Sequence, residues 1–182
     1  LKVELHTTKI GVPIQWWRSV GSTHTAYAVE AFLDEVARAT KQDPVALRRD
    51  LLAKHPRHLA VLNLAAEKSG WGSALPAGTA RGVALHECFG SVVAEVAEVT
   101  KVDGGFKVGR VVCAVDCGIA VNPNVVAMQM ESGIAYGLSA AASGTITLKD
   151  GVVQQSNFHD HPILRMNQMP KIEVHIVPST NN

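Results

Sequence analysis

The sequence predicts an α+β fold, in which a helical N-terminal third is followed by a mixed or antiparallel sheet with one inserted helix. Apolar residues recur at helical spacing from residue 24 to residue 70, whereas polar and apolar residues alternate over most of 82–116 and again over 172–177. The first strand-like segments follow one another with only turns between them. This order disfavours a doubly wound parallel sheet, in which helices and strands alternate.

The first predicted helix begins at His24 and has Ser22 or Thr23 available as its N-cap. Its apolar residues fall at helical spacing, and we expect them to form the face that packs on the core. These residues are Val29, Phe32, Leu33, Val36 and Ala37. On that assignment, replacing Phe32 with alanine should cost about 3–5 kcal/mol of folding free energy.

Three further helices are predicted to begin at a proline, over 44–52, 56–69 and 123–138. Proline is favoured at the first helical position because its missing N–H would have no partner within the helix. Asp43 and Asn122 precede two of these prolines and are expected to cap their helices. The last helix combines an apolar face with two glycines that should allow close packing, namely Val126, Ala127, Met130, Ile134 and Leu138 with Gly133 and Gly137.

The predicted strands are short segments that alternate in polarity or are rich in valine. They cover 2–6, 82–87, 91–100, 106–116, 143–148, 152–155 and 172–177. Glycine-containing turns at 103–105 and 149–151 separate two of the neighbouring pairs. These turns predict antiparallel hairpins.

The composition excludes several classes of function. Seventeen basic side chains stand against 16 acidic ones, so the net charge of +1 provides no electrostatic footprint for nucleic acid or for an anionic membrane. No apolar run approaches the roughly 20 residues that a membrane span requires. The apolar content of 47% is enough to bury a core. We therefore expect a globular domain with no nucleic-acid partner and no membrane span in this chain.

Three cysteines, Cys88, Cys113 and Cys117, are too few for a disulfide framework. On one face of a single strand, Cys113 and Cys117 would lie about 13 Å apart, beyond the reach of a disulfide. We expect three reduced structural thiols, which favours a cytoplasmic location. The first nine residues have no signal-peptide features, although an export signal upstream of Leu1 would instead place the protein in the periplasm.

Taken alone, the polar residues predict no catalytic or metal site. A His-Asp-His sequence at 159–161 lies in a loop before proline, where such a sequence is more often polar surface than a metal site. The glycine-rich nucleotide motifs and the G-x-S-x-G serine motif do not occur. In two segments, 18–24 and 122–129, small or capping residues lead into a helix, a geometry suited to an anionic group. The plainer interpretation is two ordinary helix starts and a surface Gln129.

These two segments also resemble a known family. Residues 18–25 and 30–37 resemble the arginine loop and Asp-Glu helix of the molybdopterin-binding subunit in the xanthine dehydrogenase and aldehyde oxidoreductase family. Residues 115–118, 122–123 and 129–138 resemble the glutamine helix of the same protein. The Trp-Trp-Arg-Ser-Val-Gly and Ser-Asn-Phe-His-Asp sequences are closest to the branch that contains the β subunit of isoquinoline 1-oxidoreductase. The match runs in order over nearly the whole chain.

The resemblance implies a bacterial molybdenum hydroxylase. Such enzymes hold molybdenum on a molybdopterin, here expected in the cytosine dinucleotide form, and use water as the oxygen source for hydroxylation. The implied substrate is an N-heteroaromatic such as isoquinoline, with an aldehyde as the alternative. Electrons leave such enzymes through iron–sulfur clusters, which need sets of cysteines that this chain lacks. A small iron–sulfur partner subunit is therefore implied.

The matching motifs imply that Arg18 and Gln129 bind the cofactor. Val20 is the implied substrate-pocket residue, since the xanthine enzymes carry a substrate-stacking aromatic side chain at that position. The family's catalytic glutamate lies beyond Asn182, so no catalytic residue is expected here. Residues 1–182 are expected to be part of the C-terminal molybdopterin-binding domain, incomplete at both ends and inactive alone. A non-catalytic binding or assembly module with the same fold is the remaining alternative.

Overall fold

Helices and strands are both present in the computed structural model, which describes residues 4, 6–9, 11 and 14–179. The helices are α1 (Ser22–Thr40), α2 (Pro44–Leu51), α3 (Pro56–Ser69) and α4 (Pro123–Ala142), with a short 3-10 helix at Met166–Gln168. The strands are β1 (Thr79–Cys88), β2 (Ser91–Val102), β3 (Gly105–Asp116), β4 (Leu148–Lys149), β5 (Val152–Val153) and β6 (Lys171–Ile176). The predicted α+β class is confirmed, with helices in the first third and α4 inserted between strands.

The main sheet is mixed and has the strand order β1-β2-β3-β6. Strands β1, β2 and β3 form two successive antiparallel hairpins, and β6 pairs in parallel with β3 after the chain has passed through α4. The register between β2 and β3 shifts at Glu98 and Val99. The predicted hairpin at 143–155 is present, but β4 and β5 pair over only two residues each.

Helices cover both faces of the sheet. On one face, α3 and the strands bury a common apolar core that includes Val61, Leu62, Ala65, Val83, Val92, Ala94, Val96 and Ala114. On the other face, Ile134 of α4 packs against Val111 and Cys113 of β3, flanked by Met130 and Leu138. The predicted apolar face of α4 is therefore confirmed. Each fully buried side chain of this size contributes about 1.5–3 kcal/mol.

Two of the predicted helix caps are confirmed. Asp43 accepts hydrogen bonds from two backbone amides of α2 at 2.9 Å each, and Asn122 accepts from two amides of α4 at 3.1 and 3.2 Å. The prediction for α1 is wrong, because its cap position is Gly21 and no side chain caps it. Thr23 lies inside the first turn, where its Oγ1 donates to the carbonyl oxygen of Arg18 at 2.9 Å.

A buried ion-pair cluster holds α1 against α2 and the sheet. Arg48 is only 1% exposed, and its guanidinium lies 2.9 Å from a carboxylate oxygen of Glu30 and 2.8 Å from one of Asp34. The Glu30 carboxylate also accepts a hydrogen bond from the amide of Leu85 at 2.8 Å. Since β1 is an edge strand, this bond satisfies an amide that would otherwise be open to pairing with another chain.

The predicted buried face of α1 is wrong at two of its positions. Phe32 and Val29 are 54% and 52% exposed, whereas Glu30 and Ala37 are buried. The helix is rotated because Glu30 has to face Arg48, and a charged residue in this position is not expected from an apolar pattern. The predicted cost of replacing Phe32 therefore does not apply.

Two further expectations concern strands. The predicted opening strand at 2–6 falls largely on residues outside the described set, and Glu4 and His6 are not in a strand. Cys117 lies just beyond the end of β3, so the prediction that it shares a strand face with Cys113 is wrong. All three cysteines are free thiols. Within the described ranges, we find no helix with the length and apolar character needed to cross a membrane.

Candidate functional site

A cavity of about 680 Å³ lies between α1, α4 and the adjoining part of the sheet. Its lining includes Ala26 and Tyr27 from α1, Ala84 and Glu95 from β1 and β2, and Met130 and Gly133 from α4. A volume of this size is typical of small-molecule sites, which are mostly apolar with a few polar groups.

The two residues predicted to bind cofactor meet at this cavity. A guanidinium nitrogen of Arg18 donates a hydrogen bond to Oε1 of Gln129 at 2.8 Å, although the residues are 111 positions apart. Arg18 lies in the turn that precedes α1, and Gln129 lies in the second turn of α4. Both side chains line the cavity and are exposed, so their remaining polar atoms are accessible to a ligand.

A second contact joins the same two elements. The rings of Trp17 and Tyr136 lie edge to face, with centroids 5.7 Å apart. Aromatic pairs in this geometry contribute about 0.5–1.5 kcal/mol beyond their buried area. The segment before α1 is therefore anchored to α4 by one polar contact and one aromatic contact, and both aromatic rings line the cavity.

The turn that carries Arg18 has a strained backbone. Ser19 and Val20 both have positive φ, at 75° and 49°. A β-branched residue such as valine rarely adopts this conformation, and the strain costs on the order of 1–3 kcal/mol. Strain of this kind clusters at functional sites, and the sequence analysis missed it because the motif contains no unusual turn residue at these two positions.

Val20, the predicted substrate-pocket residue, does not line this cavity. Its side chain is 50% exposed on the turn next to Arg18. The structure therefore brings together Arg18 and Gln129 but places Val20 beside them. Its role in a substrate pocket stays a prediction.

One stripe of α4 faces the cavity. Gln129, Gly133 and Gly137 are spaced by four residues, lie on one side of the helix and all line the cavity. A Cβ atom added at either glycine would meet no other atom within 4 Å. The expectation that these glycines allow close helix packing is wrong within the described residues, because they border open space.

Glu95 is a cavity residue that the sequence analysis did not single out. It lies on β2 opposite Ala84 of β1 and Cys113 of β3. Burial raises the pKa of the Glu95 carboxyl to about 7. Burial, and secondarily the nearby Glu95 charge, also raises the pKa of the Cys113 thiol. The available signal was a glutamate inside a valine- and alanine-rich strand, which alternation alone assigns to the solvent side.

Asp116 fixes the segment that connects the sheet to α4. Its carboxylate accepts hydrogen bonds from Arg57 at 3.1 Å and from the amide of Gly118 at 2.9 Å. Arg57 also donates to the carbonyl oxygen of Gly90 at 2.7 Å. The hydrogen bond from Arg57 lowers the pKa of Asp116, so this carboxylate stays ionised at neutral pH. The result is a fixed path from β3 into the helix that carries Gln129.

Glu173 has a structural environment. Hydrogen bonds from Arg110 and then Lys171 lower the pKa of its carboxyl to about 2. Arg110 donates to it at 2.9 and 3.1 Å, which joins β6 to β3. A carboxylate held ionised in this way is a poor proton acceptor, in line with the expectation that Glu173 is not the family's catalytic base.

The loop at 159–161 uses its carboxylate locally. Asp160 accepts hydrogen bonds from the backbone amides of Ser156 and Asn157 at 2.9–3.0 Å, which closes a turn. His159 lies 3.4 Å from this carboxylate. Within the described part of the chain, no group of three or more histidine, cysteine, aspartate or glutamate residues is arranged to hold a metal ion.

An arginine–glutamine pair at the edge of a largely apolar cavity defines a ligand- or cofactor-binding site. The chain belongs to the molybdopterin cofactor-binding domain family, whose model matches residues 2–170. The family predicted from the arginine loop and the glutamine helix is confirmed.

Three curated relatives place the chain more closely. It is 37% identical over 181 residues to the β subunit of isoquinoline 1-oxidoreductase of Brevundimonas diminuta, covering 97% of this chain and 23% of that protein. It is 29% identical to a membrane-bound aldehyde dehydrogenase (pyrroloquinoline-quinone) of Gluconacetobacter polyoxogenes, covering 91% of this chain and 24% of that protein. It is 28% identical to one subunit of nicotinate dehydrogenase of Pseudomonas putida, covering 92% and 16%. The chain thus spans about a quarter or less of the length of these relatives.

Proposed function

We propose that this chain forms one side of the molybdopterin site in the catalytic subunit of a molybdenum hydroxylase. The observation that carries this proposal is the 2.8 Å hydrogen bond between Arg18 and Gln129. It joins the two family motifs that the resemblance assigns to cofactor binding. Residues 1–182 would then be part of the C-terminal molybdopterin-binding domain of that catalytic polypeptide.

The residues at the cavity fit a molybdopterin. Its pterin ring carries both hydrogen-bond donors and acceptors, and its phosphate groups are anionic. Arg18 supplies several N–H donors and a positive charge, while Gln129 can donate and accept. Gly133 and Gly137 border open space in which a flat ring has room, since a Cβ there would meet nothing within 4 Å.

The contact between Arg18 and Gln129 also orients the glutamine amide. Because Arg18 donates to Oε1, the two N–H donors of the Gln129 amide are left for another acceptor. The strained turn at Ser19 and Val20 brings the backbone of the arginine loop to the same place. We infer that both groups bind and orient the cofactor before substrate arrives.

When bound, the molybdenum cofactor supplies a two-electron oxidation in which water provides the oxygen that replaces a C–H hydrogen. Two electrons and two protons leave for each turnover. The proposed electron acceptor is a small iron–sulfur partner, because the three cysteines of this chain are separate free thiols. The proposed cofactor is the cytosine dinucleotide form, and the proposed location is the cytoplasm.

The proposed substrate is an N-heteroaromatic such as isoquinoline. The support for this choice is the 37% identity to a protein named for isoquinoline oxidation. An aldehyde is the alternative, supported by the 29% identity to a protein named as an aldehyde dehydrogenase. Comparing the turnover of isoquinoline and benzaldehyde by the full-length enzyme separates the two.

The test is the molybdenum content of the full-length catalytic polypeptide carrying Gln129→Ala. Removing a hydrogen-bonding partner typically costs about 1–3 kcal/mol, which weakens binding about fivefold to hundredfold. We expect less molybdenum and less pterin per polypeptide than in the wild type. Metal mass spectrometry and pterin fluorescence after oxidation measure the two quantities.

Gln154→Ala is the matched control, since Gln154 is an exposed glutamine in the β5 hairpin, away from the cavity. Its molybdenum content should equal that of the wild type. Full occupancy in Gln129→Ala, in a protein that otherwise holds molybdenum, would contradict the assignment of Gln129.

A further inference from the structure

Three acidic side chains line the cavity, and only one of them is unpaired among the described residues. Glu30 and Asp34 both pair with the buried Arg48, at 2.9 and 2.8 Å. For Glu95, no described residue donates a hydrogen bond or forms an ion pair. Leaving a partly buried carboxyl without a partner costs free energy, so its presence at a cavity points to a ligand that pairs with it.

The surroundings of Glu95 are apolar. Its cross-strand neighbours are Ala84 and Cys113, and the next residues on the same side of β2 are Val93 and Ala97. Burial in this setting raises the pKa of Glu95 to about 7. The carboxyl therefore exists in both forms near neutral pH, donating a hydrogen bond when protonated and accepting one when ionised.

The walls of the cavity suit a flat molecule. Trp17, Tyr27 and Tyr136 bring three aromatic rings to its lining. Gly133 and Gly137 leave an open stripe on the α4 wall. Aromatic rings favour stacked or edge-to-face contact with another ring, and such contacts add about 0.5–1.5 kcal/mol to area burial.

We propose that Glu95 recognises a planar nitrogen heterocycle bound in this cavity, through a hydrogen bond between its carboxyl and a ring nitrogen or ring N–H. A hydrocarbon ring of the same shape offers no partner for the carboxyl. The inference rests on the proposed function for the source of the heterocycle, which is either the heteroaromatic substrate or the pterin ring of the cofactor. Glu95 is in either case a recognition residue.

The experiment compares isoquinoline with naphthalene, which has the same shape but no nitrogen. Equilibrium dialysis measures the Kd of each for the full-length enzyme in four forms: wild type, Glu95→Leu, Glu95→Ala and Glu95→Gln. Two apolar variants are used so that a folding defect in one does not leave the question open. Glu35→Gln is the control, because Glu35 is an exposed carboxyl of α1 outside the cavity. Pterin content is measured on every sample.

If the substrate is the ligand, the wild type prefers isoquinoline and both apolar variants lose about tenfold or more of that preference with pterin content unchanged. Glu95→Gln should keep most of the preference because an amide still hydrogen-bonds a ring nitrogen, and Glu35→Gln should match the wild type. If the pterin is the ligand, the apolar variants lose pterin instead.

The proposal is overturned if Glu95→Leu and Glu95→Ala keep both the wild-type preference and the wild-type pterin content. Failure of the proposed function has a different signature. In that case the wild type itself holds neither molybdenum nor pterin, whatever its preference between isoquinoline and naphthalene.

Discussion

Replacing Arg48 with alanine should destabilise the protein strongly. Arg48 is 1% exposed, and its guanidinium pairs with the carboxylates of Glu30 and Asp34 at 2.9 and 2.8 Å. The variant leaves the buried Glu30 with only the amide of Leu85 as a hydrogen-bond donor. Breaking a buried pair by removing one partner costs about 3–5 kcal/mol, because the other charge stays buried and uncompensated.

This cost is a large fraction of the roughly 5–15 kcal/mol that stabilises a typical domain. Chemical denaturation followed by circular dichroism measures it as a change in the free energy of unfolding. Arg49→Ala is the matched control on the same helix, since Arg49 is exposed and donates only to Asn63 at 2.8 Å. We expect the control to lose about 1 kcal/mol or less. A loss below about 1 kcal/mol in Arg48→Ala would refute the view that this cluster anchors α1.

Three further predictions concern stability. Phe32→Ala should cost about 1 kcal/mol or less because Phe32 is 54% exposed, whereas Leu62→Ala in the core should cost about 2–5 kcal/mol; thermal melting separates them. Glu95→Gln should stabilise the protein by about 3 kcal/mol at pH 8 and not at pH 4, because a carboxyl with its pKa raised from 4.5 to about 7 loses folding free energy as pH rises through that window; denaturation at both pH values measures the difference. Val20→Gly should raise the melting temperature by relieving about 1 kcal/mol of strain at a φ of 49°, and an unchanged or lower value would contradict the strained turn.

Local sequence signals predicted much of the fold. A proline at the first helical position marks the starts of α2, α3 and α4, and the caps Asp43 and Asn122 act through amides two and three residues away. Alternation and turn glycines predicted the hairpins of the sheet. These features depend on neighbours in the sequence, so the residues alone suffice to predict them.

The features that were missed depend on contacts between distant residues. The rotation of α1 follows from the pairing of Glu30 with Arg48, which are 18 residues apart. The cavity position of Glu95 depends on how α1 and α4 lie beside the sheet, because a strand pattern does not say which face a helix leaves open. The family motifs singled out Arg18 and Gln129 separately, but only the fold places them in hydrogen-bond contact across 111 residues.

The most direct test of the proposed cofactor site is the molybdenum content of the purified full-length wild-type protein. Because the arginine loop and the glutamine helix meet at one cavity, we predict about one molybdenum per polypeptide, released together with pterin on denaturation. A folded full-length protein that holds neither molybdenum nor pterin, when produced in cells that make the cofactor, would contradict it.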